Sequence, residues 1–136
     1  MKVTINGKDA RATWGIVFDT TAVSALMTPP PMKEYIADES RLEHGRRVIA
    51  SNAKVDRRDV TLTLSLYAHN ETAFYSRYNA FCAELEGARL DIELGGQPGT
   101  VYKCVYRSCS QFTQYNGRLA KFSLKLEEPN PKDRTQ

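Results

Sequence analysis

Two histidines, three cysteines, a glycine-rich run and two arginine pairs are the features with which this chain could do chemistry. Thiolates and imidazoles together make zinc sites, but structural zinc wants four ligands at short paired spacings. Cys82, Cys104 and Cys109 form no C-x-x-C pair, and only His44 and His69 could complete a set. The expected state is therefore buried or half-buried free thiols in a reducing compartment. His44 lies in the charged stretch beside Gly45 and His69 at a strand-to-helix junction, and neither has an obvious nucleophile or carboxylate partner to make it a general base. Gly95-Gly96-Gln97-Pro98-Gly99 lies between two strand patterns rather than at the head of a helix, so it reads as a hairpin loop and not as a phosphate cradle. G-x-S-x-G, Walker-type and H-E-x-x-H motifs are absent. No catalytic, metal-ligating or cofactor-binding residue is expected, and no small-molecule substrate.

The arginine pairs, Arg46-Arg47 and Arg57-Arg58, fall in residues 38–59, which carry many charges and few strongly apolar positions (Leu42, Val48, Ile49, Val55). Asp38, Glu39, Glu43, Asp56 and Asp59 nearly cancel the basic side chains there. A connection this long in a small domain is uncommon and is usually functional or disordered. One reading is a solvated loop. The sharper one is an extended arm that orders against a neighbouring subunit, with Arg41, His44, Gly45, Arg46, Arg47, Arg57 and Arg58 as interface residues. An alternative is a nucleic-acid-binding accessory domain whose arginine-rich arm meets phosphates. The interleaved acids, which would repel the same backbone, count against it.

Around the arm, hydrophobic periodicity predicts the elements that must hold it. Residues 3–5 suggest a short strand ended by the turn dipeptide Asn6-Gly7, and 11–18 a returning strand with Trp14, Ile16 and Phe18 on one face. Residues 20–27 suggest a helical turn stopped by Pro29-Pro30-Pro31. The clearest period-two pattern is Val60, Leu62, Leu64 and Leu66 against Thr61, Thr63, Ser65 and Tyr67. A helix follows, with Asn70 as N-cap and Gly87 past its end. Its stripe Phe74, Tyr78, Phe81, Cys82 and Leu85 is at spacings of 4, 3, 1 and 3 and reads as core. Strands are predicted again at 90–94, at 101–112 with neither face clearly apolar, and at 118–126 after the turn Asn116-Gly117. In the last strand Ala120, Phe122, Leu124 and Leu126 face inward, and Lys121, Ser123 and Lys125 outward.

At 136 residues, 41% hydrophobic and 26% charged, the chain has the size and composition of one ordinary domain. A net charge of +3 is too even a balance to demand a polyanion partner. No apolar run approaches the ~18 residues of a membrane span, and the polar start has no signal-peptide h-region. The expected fold class is mostly β (α+β): an antiparallel β-sandwich or partly rolled barrel with one flanking α-helix. The expected organisation is one β-rich domain over 1–128 with the arm at 38–59, and a polar, fraying C-terminal tail over 129–136.

The order of these parts resembles the tail-tube fold of long-tailed bacteriophages, and most of all the N-terminal domain of distal tail proteins. The resemblance is carried by the β-rich start, the charged arm with Gly45-Arg46-Arg47, the strand 60–67, the helix 70–86 and the three closing strands, ending at Glu127-Glu128-Pro129-Asn130-Pro131. It implies a structural subunit of a phage or prophage tail, self-associated as a hexameric ring around a channel and in contact with other tail proteins. DNA would be passing cargo only. It also implies synthesis in the bacterial host cytoplasm and residence in the virion tail, without membrane or cofactor. Secretion-tube proteins share the fold. Distal tail proteins usually carry a second, C-terminal domain, which has no counterpart in these residues.

Overall fold

A computed structural model describes residues 2–34, 36–38, 47–49 and 53–135, with backbone alone for 36–38 and 47–49. The chain opens with β1 (Val3–Ile5), which turns at Asn6-Gly7 into the two-residue β2 (Lys8–Asp9). Asn6 and Gly7 both hold positive φ, 53° and 79°, which is what this dipeptide tolerates.

The predicted strand over 11–18 is a helix followed by a shorter strand. The Asp9 carboxylate accepts from the N–H groups of Arg11 and Ala12, both at 3.0 Å, and so starts α1 (Ala10–Trp14). Gly15, at φ 67°, ends it in the left-handed conformation, and only β3 (Ile16–Phe18) is extended. A capping carboxylate before this segment and a left-handed glycine after it outweigh the alternation of Trp14, Ile16 and Phe18. Asp19 caps α2 (Thr20–Met27) in the same way, its carboxylate accepting from Ala22 at 2.8 Å.

The chain then leaves the sheet as an antiparallel ribbon. Asp56 N–H donates to the Pro31 carbonyl at 2.8 Å, Met32 bridges Val55, and Lys33 N–H donates to Lys54 at 2.9 Å. Further out β4 (Ile36–Asp38) pairs with β5 (Arg47–Ile49), Asp38 opposite Arg47.

β6 (Arg58–Tyr67) returns to the sheet, alternately buried and exposed along most of its length. Asn70 caps α3 (Glu71–Glu86) through a 2.7 Å bond from Ala73 N–H. The helix ends at Gly87 in ordinary right-handed geometry, and the left-handed residue is Ala88, φ 68°. Of its predicted stripe Phe74, Phe81 and Leu85 are buried, whereas Tyr78 and Cys82 are half-buried. The last three strands are β7 (Arg89–Leu94), β8 (Val101–Tyr115) and β9 (Leu119–Glu128).

The domain is mostly β and antiparallel, with α3 packed against the sheet. Its seven strands form one open sheet in the order β2-β1-β7-β8-β9-β6-β3, and α1 and α2 join α3 in covering it. Trp14, Leu26, Phe74 and Phe81 from the helices meet Leu62, Leu64, Phe122 and Leu124 from the strands in one core. Phe81 is its aromatic centre, edge-on to Trp14 at 5.9 Å and 5.9 Å from Phe122. At roughly 1.5–3 kcal/mol per buried large side chain, this layer is what holds the helices on the sheet. The predicted inner face of β9 is inside, but Ser123 on its other face is buried too. It lies 3.3 Å from the Thr63 hydroxyl and donates to Gln111 at 3.4 Å.

Candidate assembly surface

The seven arm residues do not form one surface. Arg41, His44, Gly45 and Arg46 lie outside the described residues. Arg47 begins β5 at the far end of the described ribbon. Arg57 and Arg58 are adjacent in sequence but differ completely in environment. Arg57 is exposed and holds Asp59 at 3.1 Å and Glu127 at 3.3 Å. Arg58, expected in the arm, is the first residue of β6 and points into the core, because it shares the parity of Val60, Leu62, Leu64 and Leu66. Its Nε donates to Glu128 at 2.6 Å, and its two Nη atoms donate to the carbonyls of Thr28 and Leu26. It caps the C-terminal end of α2, where orphan carbonyls and the helix dipole favour a cation. Arg58 is therefore part of the domain's own interior.

The tail, expected to fray, is docked. Arg134 donates to both Glu128 oxygens, at 2.9 and 3.0 Å, and lies 4.6 Å over the ring of Tyr102. Its hydrogen bond to Glu128 raises the Arg134 guanidinium above its usual range. Val101 N–H donates to the Arg134 carbonyl at 2.8 Å, and Lys103 reaches Asp133 at 3.1 Å. Glu128 is thus shared by two arginines, a buried charge satisfied by pairing and hydrogen bonding. The polarity of 129–136 hides this, since the partners lie on β8 and at the end of β9.

Among the described residues, periodicity alone misses a long unpaired strand edge on β8. β8 is much longer than β7, and their pairing ends where Arg89 meets Val105 and Tyr106 N–H donates to Ala88 at 2.8 Å. Beyond that point β8 pairs with β9 alone. Among the described residues nothing pairs with the backbone of 107–115 on its other side. Such an edge presents unpaired N–H and C=O groups and is a template for another strand. Two bulges interrupt it, between Tyr106 and Ser108 and between Ser110 and Thr113, with Gln111 at φ 55°. Phe112 and Tyr115 stand on it, each 46% exposed. The available signal is the lack of an apolar face in Ser108-Cys109-Ser110-Gln111-Phe112-Thr113-Gln114-Tyr115. At the opposite side of the sheet the edge is short: β3 ends it with Val17 exposed.

The groups with chemical potential stay apart. His69 is exposed at the junction of β6 and α3, and Gly95–Gly99 joins β7 to β8. Among the described residues no three metal-ligating side chains converge, and no helix is long and apolar enough to cross a membrane. Cys104 is buried, and burial pushes its thiol up to about 12. Cys82 is half-buried, but Cys109 is exposed, unlike the expectation for all three.

No family model matches the chain, and no curated protein matches it by sequence. Among solved structures it is similar to the Dit (gp 19.1) protein of phage SPP1, described as a paradigm of the hub adsorption apparatus in phages that infect Gram-positive bacteria. The TM-score is 0.59 at 13% identity, over 96% of this chain and 50% of that one. The likeness is one of fold, and the chain spans half the length of the protein it matches.

Proposed function

We propose that this protein is a structural subunit of a phage or prophage tail, of the distal-tail or tube type. It assembles with copies of itself into a ring, with six as the expected number, and contacts other tail proteins. The observation that carries this reading is the unpaired outer edge of β8 in a fold shared with a phage tail hub protein. A ring subunit needs heterologous contacts that close on themselves. A free strand edge and the ribbon that starts at the Met32–Val55 bridge supply two candidates. In this reading the arm residues Arg41, His44, Gly45, Arg46 and Arg47 fix register between neighbours, exposed Arg57 contributes charge, and Arg58 only supports the fold. DNA passes through the ring as cargo. The nucleic-acid-arm alternative loses support, since Arg58 is buried and Arg57 already faces two carboxylates.

Light scattering over a range of concentrations tests the ring. A mass that rises to a defined closed oligomer supports it, and a strict monomer at high concentration with and without other tail proteins overturns it. Replacing Arg46 and Arg47 together by Ala should weaken assembly while leaving the isolated chain's melting temperature nearly unchanged. Raised salt should weaken assembly in the same direction where the charge pairs are exposed.

A further inference from the structure

Cys82 on α3 and Cys109 on β8 line one small cavity of about 150 Å³ between the helix and the sheet, together with Tyr78, Tyr106 and Phe112. Tyr78 and Phe112 meet there with their rings edge-on at 5.7 Å. The hydroxyl of Tyr78 is hydrogen-bonded to Cys82, which raises the phenol above its usual range, and the charge of Cys109 adds to the rise. Cys109 in turn is raised by burial and then by the charge of Cys82. Two thiols from distant parts of the chain thus share one site, whereas Cys104 is sealed in the core.

We propose that Cys82 and Cys109 are a thiol pair that closes to a disulfide across α3 and β8 on meeting a small-molecule disulfide. Cys109, the more exposed thiol, loses its proton and attacks one sulfur of the small disulfide, releasing one thiolate and leaving a mixed disulfide. Cys82 then loses its proton, attacks the Cys109 sulfur and releases the second thiolate. The protein gives up two protons and two electrons, and the small disulfide becomes two thiols. Bridging needs Cα atoms within about 7 Å. The part of β8 that carries Cys109 pairs with β9 alone, so no second strand pairing restrains its backbone. Side chains stand perpendicular to a sheet, so the reaction leaves the backbone edge of β8 free and does not depend on the tail reading.

The test is incubation of the native chain with oxidised glutathione, followed by intact-mass analysis and non-reducing peptide mapping. The expected product has lost the mass of two hydrogens and yields a peptide linking Cys82 to Cys109. Its rate of formation should rise with pH, because the thiolate is the nucleophile and the Cys109 thiol is shifted upward. Cys104→Ser should leave the reaction intact, and Cys82→Ser should arrest it as a glutathione adduct on Cys109. Stable adducts on both thiols without an internal bond, linkage through Cys104, or no reaction would each overturn the proposal. The wild-type chain is itself the test sample, so the result stands even where a variant fails to fold. Oligomer size, measured separately, decides the tail reading whatever the thiols do.

Discussion

Arg58 and Glu128 face each other across β6 and β9 with a 2.6 Å bond between Nε and Oε1, their side chains 5% and 0% exposed. Around them several parts of the chain meet: Arg58 holds the last carbonyls of α2, Arg134 brings in the tail, and both guanidiniums lie over Tyr102 of β8, at 5.6 and 4.6 Å. A buried pair of this kind is costly to break, because the partner left behind is a desolvated charge.

Arg58→Met should therefore destabilise the chain by about 3–5 kcal/mol, read from the urea midpoint at constant slope. Adding Glu128→Leu should recover part of that loss, since Arg134 is partly exposed and can return to water. If the single variant unfolds at the wild-type midpoint, the pair is not holding these parts together.

Phe81→Ala should cost about 3–5 kcal/mol, the range for removing a large aromatic from a core. Phe81 touches both Trp14 of α1 and Phe122 of β9, so the cavity would open between helix and sheet. Chemical denaturation within a few tenths of wild type would mean that this face of α3 is not core.

Gly15→Ala should destabilise by at least about 1–3 kcal/mol, the cost of a strained backbone position. A Cβ there would lie 2.1 Å from the Tyr67 carbonyl and 2.6 Å from the Arg77 guanidinium, at φ 67°. Gly7→Ala, at φ 79° with nothing within 4 Å, should be the milder change. Thermal melts of the two variants side by side test the difference.

Docking of the tail should weaken in acid. Lys103 holds the Asp133 carboxyl below its usual value by a hydrogen bond and by charge. A depressed folded pKa means that the contribution is complete above the ordinary carboxylate pKa and is lost as pH falls through the lower, folded value. An NMR titration of the Val101 amide, which donates to Arg134, should follow that loss, and Lys103→Ala should abolish the inflection.

Much of the architecture is legible because it is written locally. Val60 to Leu66 alternate with hydroxyl residues, Ala120 to Leu126 alternate with lysines and a serine, and Phe74, Phe81 and Leu85 recur at helical spacing. Burial of a strand or helix face requires such periods. Caps are local signals too, and they compete with periodicity. Asn70 agrees with the helical stripe behind it and marks the start of α3, whereas Asp9 and Gly15 oppose the alternation between them and make α1 where that alternation predicts a strand.

Matters of partnership are settled only in the folded chain. The parity of β6 turns Arg57 out and Arg58 in, but a charge on the inward face is tolerated only because Glu128, 70 residues away, meets it. The polar tail docks because Glu128 and Tyr102 receive Arg134. The outer half of β8 is an open edge only because β7, its neighbour, has 6 residues against its 15. Cys82 and Cys109 share a cavity only because α3 packs over that same half-strand. Period and capping act within one or two turns of chain, so one sequence states them. Charge compensation and open edges depend on which distant segment lies alongside, and that is decided when the sheet assembles.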